Sequence, residues 1–142
     1  MTYRVEIIID EKRDVVAALY VNLMRMSEWE LGLKSIEHKE GRLFETGSRG
    51  IFHFEFSGQH MPMKVYVEEN HLPEQIIQIF EVPGAWNRCD NRFVAEGDQT
   101  RWIMDVTFNF DKPINISEDR FIEKTTTSMN VFKSFVEKEK TV

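Results

Sequence analysis

Polar and apolar positions alternate along most of this chain. Tyr3, Val5, Ile7 and Ile9 alternate with Arg4 and Glu6, the period of a half-buried strand. Asp10 follows, where its carboxylate could accept the free amide protons of a helix's first turn. Val15, Val16, Leu19, Leu23 and Met24 then recur at helical spacing. The stretch Met26–Leu33 breaks that period and fits a short second helix or a loop with Trp29 turned inward. From Lys34 to Asp111 the period is that of strands. Lys34–Glu40 is a weak strand ended by Gly41, and Thr46–Ser57 is a strong one with Phe52, Phe54 and Phe56 on one face. After a turn at Ser57-Gly58-Gln59, Met61, Met63, Val65 and Val67 alternate with Lys64 and Glu68. Asn70-His71-Leu72-Pro73 turns the chain into Glu74–Val82, and Pro83-Gly84 into Trp86–Ala95. Gly97-Asp98 turns it into Arg101–Phe110, whose even positions Trp102, Met104, Val106, Phe108 and Phe110 share a face.

The last element predicted is a helix from Ser117 to Lys138. Ser117 stands as its N-cap, Glu118 and Asp119 place acid at the positive end of the helix dipole, and Phe121, Ile122, Thr125, Met129, Phe132, Phe135 and Val136 form its apolar side. Strands joined by short hairpins make an antiparallel meander, one face of which must be covered. Only the final helix, about 33 Å long at ~1.5 Å per residue, spans a small domain. The expected fold is therefore α+β: a curved antiparallel sheet gripping a long C-terminal helix, as one domain over residues 1–142.

This order, with Asp10 before the first helix, Trp29 after it, Gly41 closing the second strand and Phe132 in the C-terminal helix, resembles the START-like superfamily. The Pro83-Gly84 hairpin and the Ala95-Glu96-Gly97-Asp98-Gln99-Thr100-Arg101 stretch are similar to the late strands of its polyketide cyclase/dehydrase and lipid-transport branch, SRPBCC. The resemblance implies a helix-grip fold with a cavity between the concave sheet and the last helix. It implies a function in binding or transforming an apolar molecule such as a lipid, sterol or polyketide. That family shares no universal catalytic residue, so the resemblance assigns none here.

Composition narrows the partners. The formal net charge is −6 and the 18 Lys and Arg are scattered, whereas nucleic-acid binding favours a clustered basic face. The single cysteine, Cys89, permits no internal disulfide and fits a reducing compartment. No apolar run approaches the ~20 residues of a membrane span, and the first residues carry charges that a signal peptide excludes. The expectation is a cytoplasmic protein whose partner is a small apolar molecule, with no cofactor. The 11 Phe, 7 Met and 3 Trp would supply either an ordinary core or the plastic wall of a cavity.

Candidate site residues follow from the register of the last hairpin. With Asp98-Gln99 as its loop, Arg92 would lie opposite Asp105 on the outer face and Phe93 beside Met104 on the inner one. Asn87, Cys89 and Asn91 would then point inward, where each polar group needs a partner or a ligand. Together with Gln78 they form the polar part of a candidate site; Phe54, Met63, Trp102, Met104, Val106, Phe108, Phe121, Thr125, Met129 and Phe132 form its apolar walls. Cys89 has no cation on its own face to lower its pKa and reads as a small apolar filler. His38, His53, His60 and His71 lack metal-ligand spacing, so no metal is expected. Gly47-Ser48-Arg49-Gly50 precedes a strand rather than a helix, and reads as a bulge or turn rather than a phosphate loop.

Three classes of function stay open. A binding protein would use the cavity. A cyclase- or dehydratase-type enzyme would need an acid or base inside it, and the assignable inward positions carry amides, although Glu30 could reach the mouth. A protein-interaction module would use the outer face and need no cavity.

Overall fold

The computed structural model describes residues 1–140. Seven strands form one antiparallel sheet: β1 (Thr2–Ile9), β2 (Leu33–Glu40), β3 (Arg49–Phe56), β4 (Gln59–His71), β5 (Gln75–Val82), β6 (Ala85–Glu96) and β7 (Gln99–Phe110). Their spatial order is β1-β7-β6-β5-β4-β3-β2, so the first strand closes beside the last and the rest run as a meander. Helix α1 (Arg13–Tyr20) and a short 3-10 helix (Leu23–Glu28) bridge β1 to β2, and α2 (Glu118–Lys140) lies along the concave face.

Side-chain parity defines that concave face. Even positions of β3, β5 and β7 and odd positions of β1, β4 and β6 point to α2, and they hold the core: Phe52 and Phe54, Ile76, Trp102 and Val106, Tyr3, Val5 and Ile9, Val65 and Val67, Phe93. Helix α2 answers with Met129, Phe132, Phe135 and Val136, all buried. Its C-terminal end is tied to the end of β1, where the Asp10 N–H donates to Glu137 Oε2 at 2.8 Å and Lys140 Nζ donates to the Asp10 carbonyl at 3.2 Å.

Three expectations are corrected. Asp10 is not a helix cap: α1 starts two residues later than that role requires, behind Lys12, without any side-chain cap, and the Lys12 N–H is taken by Glu11 Oε1. The first helix ends at Tyr20, so Met24 falls on the 3-10 helix and is 95% exposed, and Val15 is also exposed; Val16, Ala17 and Tyr20 form the buried face. In the last hairpin the loop is Gly97-Asp98, which places Arg92 opposite Ile103 and Asp90 opposite Asp105. Arg92 instead approaches Asp90 at 3.8 Å, and Asp105 is held by Arg4 of β1 in two bonds of 2.7 and 3.0 Å. The Arg4 pairing was invisible in the hairpin alone because it needs β1 to close against β7. The slip is two residues, which preserves parity, so Asn87, Cys89 and Asn91 do face inward.

Candidate functional site

The concave face is dry at one end and open at the other. At the dry end, α1 and the C-terminal half of α2 close over the sheet. Tyr20, Trp29, Phe93, Trp102 and Phe132 pack ring to ring there, with Trp29 and Phe132 centroids 4.6 Å apart and Tyr20 within 5.4–5.7 Å of the other four. Edge-on aromatic contacts of this kind add to the burial itself. The opposite end carries the β3–β4 and β5–β6 hairpins, the end of β7 and the first turns of α2. Inward residues there are only half-buried: Met61 and Met63 on β4, Phe80 on β5, Asn87 on β6, Met104 and Phe108 on β7, Phe121 and Thr125 on α2. Phe121 bridges Phe108 and Phe110 at 5.1 and 5.7 Å, and Tyr3 Oη and Thr125 Oγ1 share a hydrogen bond of 2.7 Å beside them. Phe56, at the tip of β3, is 46% exposed. These inward-facing apolar side chains pack against the core yet keep exposed surface at this end.

The predicted residues therefore divide. Phe54, Trp102, Val106, Met129 and Phe132 are packed core, with Met129 and Phe132 at 0% exposure. Met63, Asn87, Met104, Phe108, Phe121 and Thr125 border the open end. Gln78 and Asn91 lie between the two groups, buried at 2% and 0%. Asn91 is fully engaged: its amide donates to the carbonyls of Ile76 and Cys89, and its Oδ1 accepts the Trp102 indole N–H at 3.0 Å. With both N–H donors committed and no exposure, it braces the core. Gln78 Oε1 accepts the Tyr20 hydroxyl at 2.7 Å, and among the described residues no bond engages its amide nitrogen. Asn87 Oδ1 accepts the Cys89 thiol at 3.5 Å.

Two residues join this polar cluster that the spacing of the sequence did not assign to it. Tyr20 lies on α1, one turn after Val16, a spacing that could have flagged it. Glu30 lies where the 3-10 helix hands over to β2. Its N–H bonds to the Met26 carbonyl at 2.8 Å, its carbonyl accepts the Leu33 N–H at 3.1 Å, and Gly32 makes the turn between them with φ of +86°. A Cβ on Gly32 would sit 2.7 Å from Phe56 Cε1 and 3.0 Å from the Glu55 carbonyl, so only glycine lets this loop lie so close to β3. The tight turn holds Glu30, half-buried, within electrostatic reach of Tyr20 and Cys89.

The Glu30 carboxyl has no hydrogen-bond partner among the described residues. The sealed, unpartnered side-chain polar atoms among them are Arg13 Nε, Trp29 Nε1 and Ser48 Oγ. The Glu30 oxygens, unpartnered but not sealed, therefore border open space. Burial alone pushes this carboxyl up to about 7. Burial also pushes the Cys89 thiol up to about 12, partly opposed by the Asn87 hydrogen bond and reinforced by Glu30. The Tyr20 hydroxyl is driven well above its ordinary range by burial, with Cys89 and Glu30 adding to it. Cys89 is thus a protonated, inert thiol, as its lack of a neighbouring cation suggested.

No protein-family model matches the chain, and no curated protein matches it in sequence. Solved structures do match along its whole length. Ara h 8.0201 superposes with a TM-score of 0.81 at 11% identity, covering 97% of this chain and 98% of its own. The Zhui aromatase/cyclase from Streptomyces sp. R1128 gives 0.74 at 10% identity, covering 96% and 93%. A START superfamily protein from Mycobacterium smegmatis gives 0.73 at 12% identity, covering 96% and 97%. At such identities the likeness is one of fold alone, and the fold is the α+β helix-grip that these proteins share. Among the described residues no helix is long and apolar enough to cross a membrane.

Proposed function

We propose that this protein binds a small hydrophobic molecule, lipid, sterol or polyketide-like, in the space between the open end of the concave sheet and the N-terminal half of α2. The observation that carries this reading is the set of half-buried inward side chains Met61, Met63, Phe80, Met104, Phe108 and Phe121, which stand opposite a fully packed dry end. Methionines and phenylalanines make a wall that adapts to an apolar guest. Covering ~300 Å² of ligand apolar surface contributes about −7 kcal/mol gross, and association costs at least several kcal/mol. Useful affinity therefore calls on the free polar groups of Glu30, Gln78 and Asn87. Two matched proteins, an aromatase/cyclase and a START superfamily protein, are compatible with an apolar guest. The formal charge of −6, with basic residues scattered, supports a partner other than nucleic acid.

A thermal-shift screen of fatty acids, sterols and aromatic polyketides tests the reading. A ligand of the folded state raises stability by about 2.7 kcal/mol at a hundredfold excess over its Kd. Stabilisation by at least one class is expected, and no shift with any of them overturns the proposal. A second reading, a cyclase- or dehydratase-type enzyme, is favoured by the Glu30 carboxyl, which has no hydrogen-bond partner among the described residues and which burial pushes up to about 7, the range of a general acid or base. Turnover lost in Glu30→Gln while binding persists would support it over the binding role alone.

A further inference from the structure

We propose that Glu30 is the recognition group of the interior site, and that the ligand it selects is an apolar molecule bearing a basic nitrogen. This rests on the cavity reading above and names the chemistry of its guest.

The site is chemically one-sided. Its walls are apolar, and the groups around Glu30 are Tyr20 from α1 and Cys89 from β6, both held in their neutral forms by burial. Tyr20 and Cys89 in turn bond the neutral amides of Gln78 and Asn87. Among the described residues no cation pairs with Glu30. On the preceding 3-10 helix, Arg25 is committed to Glu28 at 2.8 Å and to Glu139 of α2 at 2.6 Å. On α2, Lys133 is held by Glu137 at 2.5 Å. Lys34, the nearest basic residue on β2, is exposed. Among the described residues, then, Glu30 is an interior acid with two unpartnered oxygens that border open space, and nothing in the protein matches it.

An unmatched carboxyl beside apolar side chains is satisfied best by a donor that carries charge, because a charge-assisted hydrogen bond is about twice as strong as a neutral one. A protonated amine supplies three donors and the missing positive charge. Its binding exchanges one cation for one proton: the neutral carboxylic acid releases H⁺, and the carboxylate formed pairs with the ammonium. A carboxylate-headed guest meets the opposite outcome, since two acids sharing the site cannot both ionise. The free amide nitrogens of Gln78 and Asn87 can orient the head but do not choose between an alcohol and an amine.

Three probes with one apolar body separate the head group from the body: naphthylethylamine, naphthylethanol and naphthylpropionic acid, titrated calorimetrically into the full chain at about pH 6 and about pH 8. The amine should bind about tenfold or more tighter than the alcohol, and tighter still than the acid. Its affinity should rise between the two pH values. Near pH 6, buffers of different ionisation enthalpy should report close to one proton released per amine bound. In Glu30→Gln the amine-to-alcohol ratio should fall to about one and proton release should vanish. The acid binding as tightly as the amine in the wild type, or an amine preference that survives Glu30→Gln, would overturn the proposal. Equal binding of all three probes leaves the cavity reading standing and removes this one; binding of none removes both. The head-group comparison in the wild-type protein does not depend on how the variant folds.

Discussion

Replacing Glu30 by Gln should stabilise the protein, and by an amount that grows with pH. Burial holds the folded carboxyl at about 7, against 4.5 in an unperturbed chain. Between those values the folded state carries a proton that the unfolded state has lost, so ∂ΔG/∂pH is negative: the stability contributed by the protonated group is fully present below about pH 4.5 and is lost as pH rises through about 7. The interval is 7 − 4.5 = 2.5 units, which at ~1.4 kcal/mol per unit gives about 3 kcal/mol. That is an upper value, since the Glu30 oxygens are not sealed and the ionised carboxylate can draw on water. Glutamine keeps the shape and cannot ionise. Urea unfolding followed by the fluorescence of Trp29, Trp86 and Trp102, at about pH 5, 6, 7 and 8, should show wild type losing ground to Glu30→Gln across the series, with the gap widening by about 1–3 kcal/mol. Comparing the gap across pH removes any fixed packing cost of the substitution. A gap that stays flat would mean that Glu30 is solvated in the folded state, and its role in the interior would fall.

Other outcomes follow from the division between dry and open ends. Met129→Ala, at 0% exposure, should cost about 2–5 kcal/mol in chemical denaturation, whereas Met63→Ala or Met104→Ala at the open end should cost clearly less; equal losses would mean that the interior is solid core throughout. Tyr20→Phe leaves the Gln78 carbonyl oxygen without its donor and should destabilise by about 1–3 kcal/mol, read from the same unfolding curves. Cys89, pushed up to about 12, should resist alkylation in the native protein at about pH 8 and react fully in urea; rapid native labelling would contradict its burial. Asp105→Ala should cost no more than ~1 kcal/mol, because the Arg4 pair it breaks lies on the exposed face.

The helix-grip fold was legible because each element carries its own period. Phe52 and Phe54, the even residues of β7 and the Met129–Phe132–Val136 stripe each announce a face, and short hairpins leave few ways to join them. The expected helix from Ser117 to Lys138 differs from α2 by one or two residues at each end. Pairings between distant segments were not legible. The hairpin register was read two residues off because Arg92 and Asp105 attract in sequence terms, while the fold gives Asp105 to Arg4 on a strand about a hundred positions away. The site was half legible for the same reason. Parity placed Asn87, Cys89 and Asn91 inward, but it could not tell that Asn91 is consumed by Trp102 and two carbonyls. It gave no weight to Tyr20, whose partner lies 58 positions on, nor to the depth of Glu30, which depends on a glycine turn folding against β3.

The central claim is that the space behind Met61, Met63 and Met104 receives a guest while the Met129 end stays closed. The seven methionines report on this separately through their methyl NMR signals. With a stabilising compound from the thermal-shift screen added to saturation, the methyl resonances of Met61, Met63 and Met104 should shift strongly, those of Met26 and Met129 weakly, and exposed Met24 hardly at all. Shifts confined to Met24, with Met104 unmoved, would contradict the account and place the compound outside the grip of sheet and helix, and shifts spread evenly over all seven would contradict the separation of the two ends.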